Sequence, residues 1–234
     1  MVIIALLLVL SVVVGILLGK YFGTEQKLAK RLLVLSAGFL IAICLTEVFP
    51  EVYHNHEVSN MGFYVIGGVL LQMLLENLTK GFEHGHFHHH DDDGDILPFA
   101  LVLGLFIHAF LEGIPLAKQE EVFSPYLLGI LCHNIPISFV MGSFLFGGKS
   151  KGYNLAVVTL FALASPLGMF LGQYLDASYQ PYILAVVGGI FLHISSVIIF
   201  ESNKNHKMDW AKISLVVIGV LLASVGHLFH NHGH

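Results

Sequence analysis

Charged residues are scarce in this sequence. Asp, Glu, Lys and Arg make up only 12% of its 234 residues, whereas 56% are hydrophobic. A soluble domain carries about a quarter charged residues, and so few charges cannot cover the surface of one of this size. The composition therefore predicts an integral membrane protein in contact with a lipid bilayer. The net charge of −5 with neutral histidines excludes a nucleic-acid-binding function.

Cysteine and the common catalytic motifs are also scarce or missing. The two cysteines, Cys44 and Cys132, lie inside apolar runs, which excludes the disulfide framework of a small secreted domain. We expect both to be buried thiols. The sequence has no P-loop, which excludes an ATP-driven carrier built on that motif, and no H-E-x-x-H zinc-protease motif.

Apolar runs of about 17 to 22 residues recur along the chain, and each is long enough to cross a bilayer as an α-helix. We predict an all-α membrane protein with eight transmembrane helices, which form a single domain over residues 1–234. The spans are residues 2–18, 32–49, 61–79, 97–117, 125–146, 154–175, 181–200 and 210–229. The two longest connectors are the first, from Gly19 to Arg31, and the third, residues 80–97.

The basic residues are distributed unevenly between the connectors. Of the 11 Lys and Arg residues, only Lys118 falls beside an even-numbered connector. Basic residues concentrate on the cytoplasmic side of a membrane protein, so both termini are expected to face away from the cytoplasm. The other ten are Lys20, Lys27, Lys30, Arg31, Lys80, Lys149, Lys151, Lys204, Lys207 and Lys212.

Ionisable side chains at membrane depth are expensive to bury and are therefore functional candidates. The fourth span contains His108 and Glu112, four residues apart on one helix face, and the fifth contains His133 beside Asn134. Counting helical rise from the outer ends places His108 roughly 14 Å and His133 roughly 12 Å deep, so they can meet. Imidazole and carboxylate ligands suit Zn²⁺ and related divalent metals. The alternative is a hydrogen-bonded cluster that only packs the helices.

Further polar residues are candidates for an ion pathway or an accessory metal site. Glu47 and Glu51 flank Pro50 at the outer mouth, His193 lies within the seventh span, and Glu201 follows its inner end. Each of them also has a purely structural interpretation, as a packing residue or a solvated helix-end charge. The third connector holds a tract typical of loose metal binding, His84, His86, His88, His89 and His90, followed by aspartates.

Several of these stretches together carry a family resemblance. They are Glu47-Val-Phe-Pro50-Glu51, His108-Ala-Phe-Leu-Glu112-Gly113, His133-Asn-Ile-Pro136 and Ser165-Pro166-Leu-Gly168. In this combination, with eight spans and a His-rich third connector, the chain resembles the ZIP family of divalent-metal transporters, in a divergent form of bacterial type.

The resemblance implies a transport site between the fourth and fifth helices, with His108, Glu112 and His133 as metal ligands and Asn134 as a weaker one. It also implies inverted repeats, in which the first three helices are related to the last three, and alternating access around the site. Ile137 stands where family members with two metals have a bridging acidic residue, so a single ion is expected here.

The sequence therefore predicts an importer of divalent ions, Zn²⁺ foremost and Fe²⁺, Mn²⁺, Cd²⁺ or Co²⁺ as alternatives, in the cytoplasmic (inner) membrane. No enzyme activity and no prosthetic group are expected. Two alternatives remain open: an intramembrane zinc-dependent hydrolase and a non-transporting metal sensor or scaffold. The sequence leaves open whether the chain works as a monomer or as a homodimer.

Overall fold

The computed structural model describes residues 1–23, 26–54, 60–79, 99–119, 121–122, 124–145, 151–200 and 209–231, apart from the side chains at positions 26 and 226–231. Every regular element within these ranges is helical. The His-rich tract from His84 to His90 and the candidate Glu201 lie outside the described residues.

Eight long helices follow one another along the described chain, and three of them include a turn of different pitch. Helix α2 continues from its α-helical part through the π turn Cys44–Val48 into Phe49–His54, and α4 ends in the 3₁₀ turn Ile114–Lys118. The 3₁₀ turn Ala177–Tyr179 leads into α7. The helices are α1 Val2–Phe22, α2 Gln26–Ile43 with its extension to His54, α3 Met61–Thr79, α4 Phe99–Gly113, α5 Pro125–Leu145, α6 Lys151–Gly172, α7 Gln180–Phe200 and α8 Trp210–Asn231.

By length and composition, seven of these helices can each cross a bilayer, and the described apolar part of α8 covers Trp210–Val225. The all-α membrane architecture predicted from the sequence is confirmed. Large apolar side chains are exposed on the outside of the bundle, for example Leu6, Phe63 and Leu160. Apolar exposure of this kind fits a surface in contact with lipid rather than water.

The prediction for the first connector was wrong. The loop expected from Gly19 to Arg31 is much shorter, because α1 continues to Phe22 and α2 already begins at Gln26. Hydropathy marks the apolar part of a helix, whereas Lys, Gln, Ala and Arg all have good helix propensity and extend the helix beyond it. The second span also extends five residues beyond its predicted end at residue 49, to His54, and the remaining predicted boundaries lie within three residues of those observed.

Two prolines account for the changes of pitch in α2 and α4. Pro50 has no N–H to offer the carbonyl four residues earlier, and just before it the N–H of Phe49 donates to the Cys44 carbonyl, a π-type bond. Pro115 similarly follows the end of the α-helical part of α4, which continues as a 3₁₀ turn. The π turn contains the candidate Glu47, and the 3₁₀ turn begins two residues after the candidate Glu112.

The helices form two groups with close internal contacts. Helix α1 packs along α5 and α6, and α4 packs along α6; we call α1, α4, α5 and α6 the first bundle. Helix α2 packs along α8 and α7, and α3 packs along α7; these four form the second bundle. The closest pairs meet at glycines, where an added Cβ would overlap the facing helix: Gly15 and Gly142 (α1–α5), Gly38 and Gly219 (α2–α8), Gly68 and Gly189 (α3–α7), Gly113 and Gly168 (α4–α6).

The four most extensive helix contacts have the symmetry that an inverted repeat requires. In such a repeat, α1, α2 and α3 correspond to α6, α7 and α8, and α4 corresponds to α5. Exchanging the corresponding helices turns the α1–α5 contact into the α6–α4 contact. It likewise turns the α2–α8 contact into the α7–α3 contact. The exchange keeps each bundle intact, and it leaves α4 and α5 as the pair on the symmetry axis, where transporters of this architecture place their substrate.

Candidate metal centre

Three buried side chains from α4 and α5 converge inside the first bundle. His108, Glu112 and His133 each offer a ligand atom, and these atoms lie within 4.8 Å of one another. Among the described residues, no other group of three or more His, Cys, Asp or Glu side chains converges in this way. A tetrahedral Zn²⁺ with bonds of about 2.0–2.1 Å holds its ligand atoms about 3.4 Å apart, so small side-chain rotations would bring them into range.

His108 and Glu112 meet across one turn of α4, as their four-residue spacing predicts. His108 Nε2 lies 2.9 Å from Glu112 Oε1, and the two side chains are 1% and 0% exposed. Neither carboxylate oxygen of Glu112 has a hydrogen-bond partner within the part of the chain that the structure describes. A buried carboxylate is costly unless its charge is compensated, and a divalent cation at this point would compensate it.

His133 approaches from α5 on the opposite side. Its ring centroid lies 5.9 Å from that of His108, with 72° between the ring planes, and the side chain is fully buried. The sequence predicted that His108 and His133 lie at similar depths in the membrane and can meet, and in the structure their rings lie side by side. Asn134, the next residue, is also buried. As its neighbour on the helix it points about 100° away from His133.

The surrounding helices hold Glu112 in place. Gly113 lies so close to α6 that an added Cβ would overlap the Ser165 carbonyl oxygen, which fixes the position of α4 against α6. The Tyr126 hydroxyl of α5 donates a hydrogen bond of 2.9 Å to the backbone carbonyl of Glu112. The carboxylate is thus carried on backbone that both neighbouring helices contact.

Two polar residues of α3 belong to this region and were missed by the sequence analysis. Gln72 Oε1 lies 3.1 Å from His108 Nδ1, and Glu76 Oε2 lies 2.9 Å from Nε2 of the predicted candidate His193. Gln72 and Glu76 are four residues apart inside a predicted span. This is the same signal that singled out His108 and Glu112, so it could have identified them.

Of the two outer-mouth candidates, Glu51 lines a cavity. Glu47 is half-buried in the π turn of α2, and Glu51 one turn later lines a cavity of about 240 Å³. Lys118, at the end of α4, and Gln180, at the start of α7, line the same cavity. Gln180 Nε2 also donates a hydrogen bond of 3.1 Å to the Pro115 carbonyl. The cavity therefore lies against the turn that follows Glu112 on α4.

Ile137 and Ala109 offer no ligand atom to the centre. Both are buried, Ile137 four residues after His133 on α5 and Ala109 next to His108 on α4. The described centre thus consists of two imidazoles and one carboxylate. This donor set suits Zn²⁺ and neighbouring first-row ions. The two Glu112 oxygens without a hydrogen-bond partner argue against the alternative of a cluster that serves only to pack the helices.

Comparison with known proteins agrees with this arrangement. The family model described as ZIP zinc transporter matches residues 84–226 of the chain. The chain belongs to the ZIP zinc transporter family. ZIP proteins are transporters and not enzymes, so membership confirms the prediction of a non-enzyme and removes the intramembrane hydrolase from consideration. It also supports divalent-metal transport and a multi-pass membrane location.

Individual relatives match over different lengths. Zinc transporter ZIP9-B of Xenopus laevis is 24% identical over 89% of this chain and 90% of its own. An uncharacterized protein of Methanocaldococcus jannaschii is 25% identical over 93% and 94%. Protein zntD of Dictyostelium discoideum is 30% identical over 54% of this chain, and the match spans only 22% of zntD. No solved structure matches the chain.

Proposed function

We propose that this protein imports Zn²⁺ across the cytoplasmic membrane and that His108, Glu112 and His133 bind the ion in transit. The observation that carries the proposal is the convergence of these three buried side chains within 4.8 Å, in a chain of a metal-transporter family. Asn134 is proposed as a weaker ligand, and Fe²⁺, Mn²⁺, Cd²⁺ and Co²⁺ as competing substrates. Since only one carboxylate is present and Ile137 is apolar, the centre is proposed to hold a single ion.

The proposed path runs from the outer mouth, where Glu47 and Glu51 attract cations, through the central site to the contact of Glu76 with His193. That contact lies one helical turn beyond Gln72 on α3, so an ion leaving the centre would meet it next. His193 then acts as a pathway residue and not only as a packing histidine. Glu201 and the His84–His90 tract are proposed to receive the ion on the cytoplasmic side.

The proposed orientation, with both termini outside the cytoplasm, rests on the basic residues. Lys20, Lys27, Lys30 and Arg31 gather at the junction of α1 and α2, whereas Lys118 lies at the opposite ends of the helices, in the cavity with Glu51. That division follows the positive-inside rule if the cavity opens outward. Import is then movement from the cavity side to the basic side.

Alternating access is proposed to occur by movement of one bundle against the other. All three central ligands lie in the first bundle, whereas Glu76 and His193 both lie in the second. A shift of the first bundle along the second would therefore carry the ion from the outer cavity towards this inner pair. Movement of one bundle against the other is the usual way in which such folds alternate access.

The test is uptake of each ion of the panel into proteoliposomes that contain a metal-responsive dye. We expect uptake of Zn²⁺ by the unmodified protein and background uptake by His108→Ala and Glu112→Ala. His193→Ala should slow uptake while the equilibrium affinity of the central site is kept. Thr159→Ala, on the exposed face of α6, is the matched control and should transport normally.

The outcome that would contradict import is binding of Zn²⁺ by the unmodified protein without uptake of any ion of the panel. Ile137, at the position of a family ligand, would then mark a site that has lost transport, and the metal sensor or scaffold would become the better description. Equal loss of uptake in Thr159→Ala would show that the central residues are not the cause.

A further inference from the structure

Gln72 is a fully buried amide that contacts a proposed metal ligand. It lies on α3 in the second bundle, and its Oε1 atom is 3.1 Å from Nδ1 of His108 on α4 in the first bundle. A polar side chain in a membrane-spanning helix is costly to bury unless it is hydrogen-bonded. This contact between the bundles therefore has an energetic reason to form.

The two nitrogens of His108 face different partners. Nε2 faces Glu112, on the side where the ligand atoms converge, and Nδ1 faces the Gln72 oxygen. An amide oxygen can only accept a hydrogen bond, so the hydrogen must be on Nδ1. In the neutral imidazole that binds metal, the lone pair then lies on Nε2 and points towards the centre, where an ion can use it.

From this geometry we infer that Gln72 is a positioning residue for the metal centre, one that fixes both the tautomer and the ring orientation of His108. The inference rests on the proposed function, because it assigns Gln72 a role only if His108 binds the ion. Gln72 does not touch the ion itself. Without its oxygen, the imidazole can rotate or place its hydrogen on Nε2, and both changes remove the ligand.

Thr79 provides a comparison on the same helix. It is a second buried polar residue of α3 facing α4, where an added Cβ at Gly104 would lie 2.7 Å from its methyl group. Its hydroxyl donates within α3, to the Glu76 carbonyl at 3.3 Å. Loss of this hydroxyl perturbs the same helix contact without touching His108.

The experiment compares the Zn²⁺ affinity of purified Gln72→Leu, Gln72→Glu and Thr79→Val with that of the unmodified protein. Loss of the partner of a histidine ligand typically weakens metal binding about 10- to 100-fold, and we expect a loss of this size in Gln72→Leu. Gln72→Glu keeps an acceptor oxygen and should stay within about threefold of the unmodified protein. Thr79→Val should bind normally.

A spectroscopic signature separates positioning from packing. In the Zn²⁺-loaded protein with ¹⁵N-labelled histidine rings, the His108 signals, identified by their absence from His108→Gln, should show a protonated Nδ1 and a metal-bound Nε2. Gln72→Glu should keep this pattern, and Gln72→Leu should lose it.

Three results would overturn the inference. They are unchanged affinity and an unchanged ring pattern in Gln72→Leu, an equal loss of affinity in Gln72→Glu and Gln72→Leu, or the same loss in Thr79→Val. If the unmodified protein binds Zn²⁺ and His108→Gln does not, any of these three results refutes the role of Gln72 and leaves the proposed function standing. If the unmodified protein binds no metal, the proposed function fails with it.

Discussion

At the scale of single residues, Glu112 and Ile137 set the charge of the metal centre. Glu112 is buried with neither carboxylate oxygen hydrogen-bonded among the described residues, and Ile137 fills the position one turn beyond His133 with apolar volume. An acidic residue at position 137 would face the same region as Glu112. Two carboxylates close together in an apolar interior repel each other strongly unless a cation lies between them.

We therefore predict that Ile137→Glu makes the fold dependent on metal. Without metal, the added buried charge should lower the thermal midpoint, because an uncompensated charge in a core costs several kcal/mol. Saturating Zn²⁺ should raise that midpoint by more than it does in the unmodified protein, because ligand binding to the folded state stabilises it. Thermal unfolding in detergent with Zn²⁺ or with chelator measures both effects.

The control is Ile137→Leu, which has equal volume and should behave like the unmodified protein. If Zn²⁺ raises the midpoint of Ile137→Glu by no more than that of the unmodified protein, the prediction is contradicted.

The sequence could predict those parts of the centre that depend on one helix at a time. His108 and Glu112 follow from their spacing on α4, and the level of His133 follows from counting helical rise along α5. The partners Gln72 and Glu76 depend on how α3 packs against α4 and α7. Neither the spacing nor the hydropathy of α3 encodes that packing. The contact of Glu76 with His193 therefore had to come from the structure.

At the scale of elements, α3 has two adjacent glycines in opposite environments. Gly68 lies against α7, where an added Cβ would overlap the Val186 carbonyl oxygen, whereas nothing lies within 4 Å of the Cβ position of Gly67. The sequence shows two equivalent glycines in an apolar run. Only the packing distinguishes a glycine required by a close helix contact from one that faces outward.

This pair gives a matched prediction for helix packing. Gly68→Ala should destabilise the protein by about 1–3 kcal/mol, because the added methyl group must push α3 away from α7. It should also slow Zn²⁺ uptake, since Glu76 and His193 meet across the same helix pair. Gly67→Ala should be neutral or stabilising by up to about 1 kcal/mol, from helix propensity alone. Denaturation in detergent and proteoliposome uptake measure the two effects, and equal stability of both variants would contradict this account of the α3–α7 contact.

At the scale of the whole molecule, the eight helices divide into two bundles that meet beside the metal centre, where Gln72 contacts His108. The number of helices and their order could be predicted from hydropathy, because each long apolar run identifies one membrane-spanning helix. The division into bundles could not, because it depends on which helices share a glycine contact, such as α2 with α8 rather than α2 with α1. The proposed transport movement requires the boundary between the bundles to shift.

Locking that boundary should therefore stop transport and spare binding. Gly129 on α5 and Ile43 on α2 face each other across it, and an added Cβ at Gly129 would lie 3.9 Å from the Ile43 Cβ. This separation is within the range of about 3.5–4.5 Å found in disulfides. Oxidised Ile43→Cys/Gly129→Cys should bind Zn²⁺ with unchanged affinity, since all three ligands lie within the first bundle. Its uptake of Zn²⁺ into proteoliposomes should cease and should return on reduction.

Each single-cysteine variant, oxidised in the same way, controls for Cys44 and Cys132 and should keep transporting. Normal uptake by double-variant protein whose cross-link is verified by mass spectrometry would rule out movement at this boundary as the transport step.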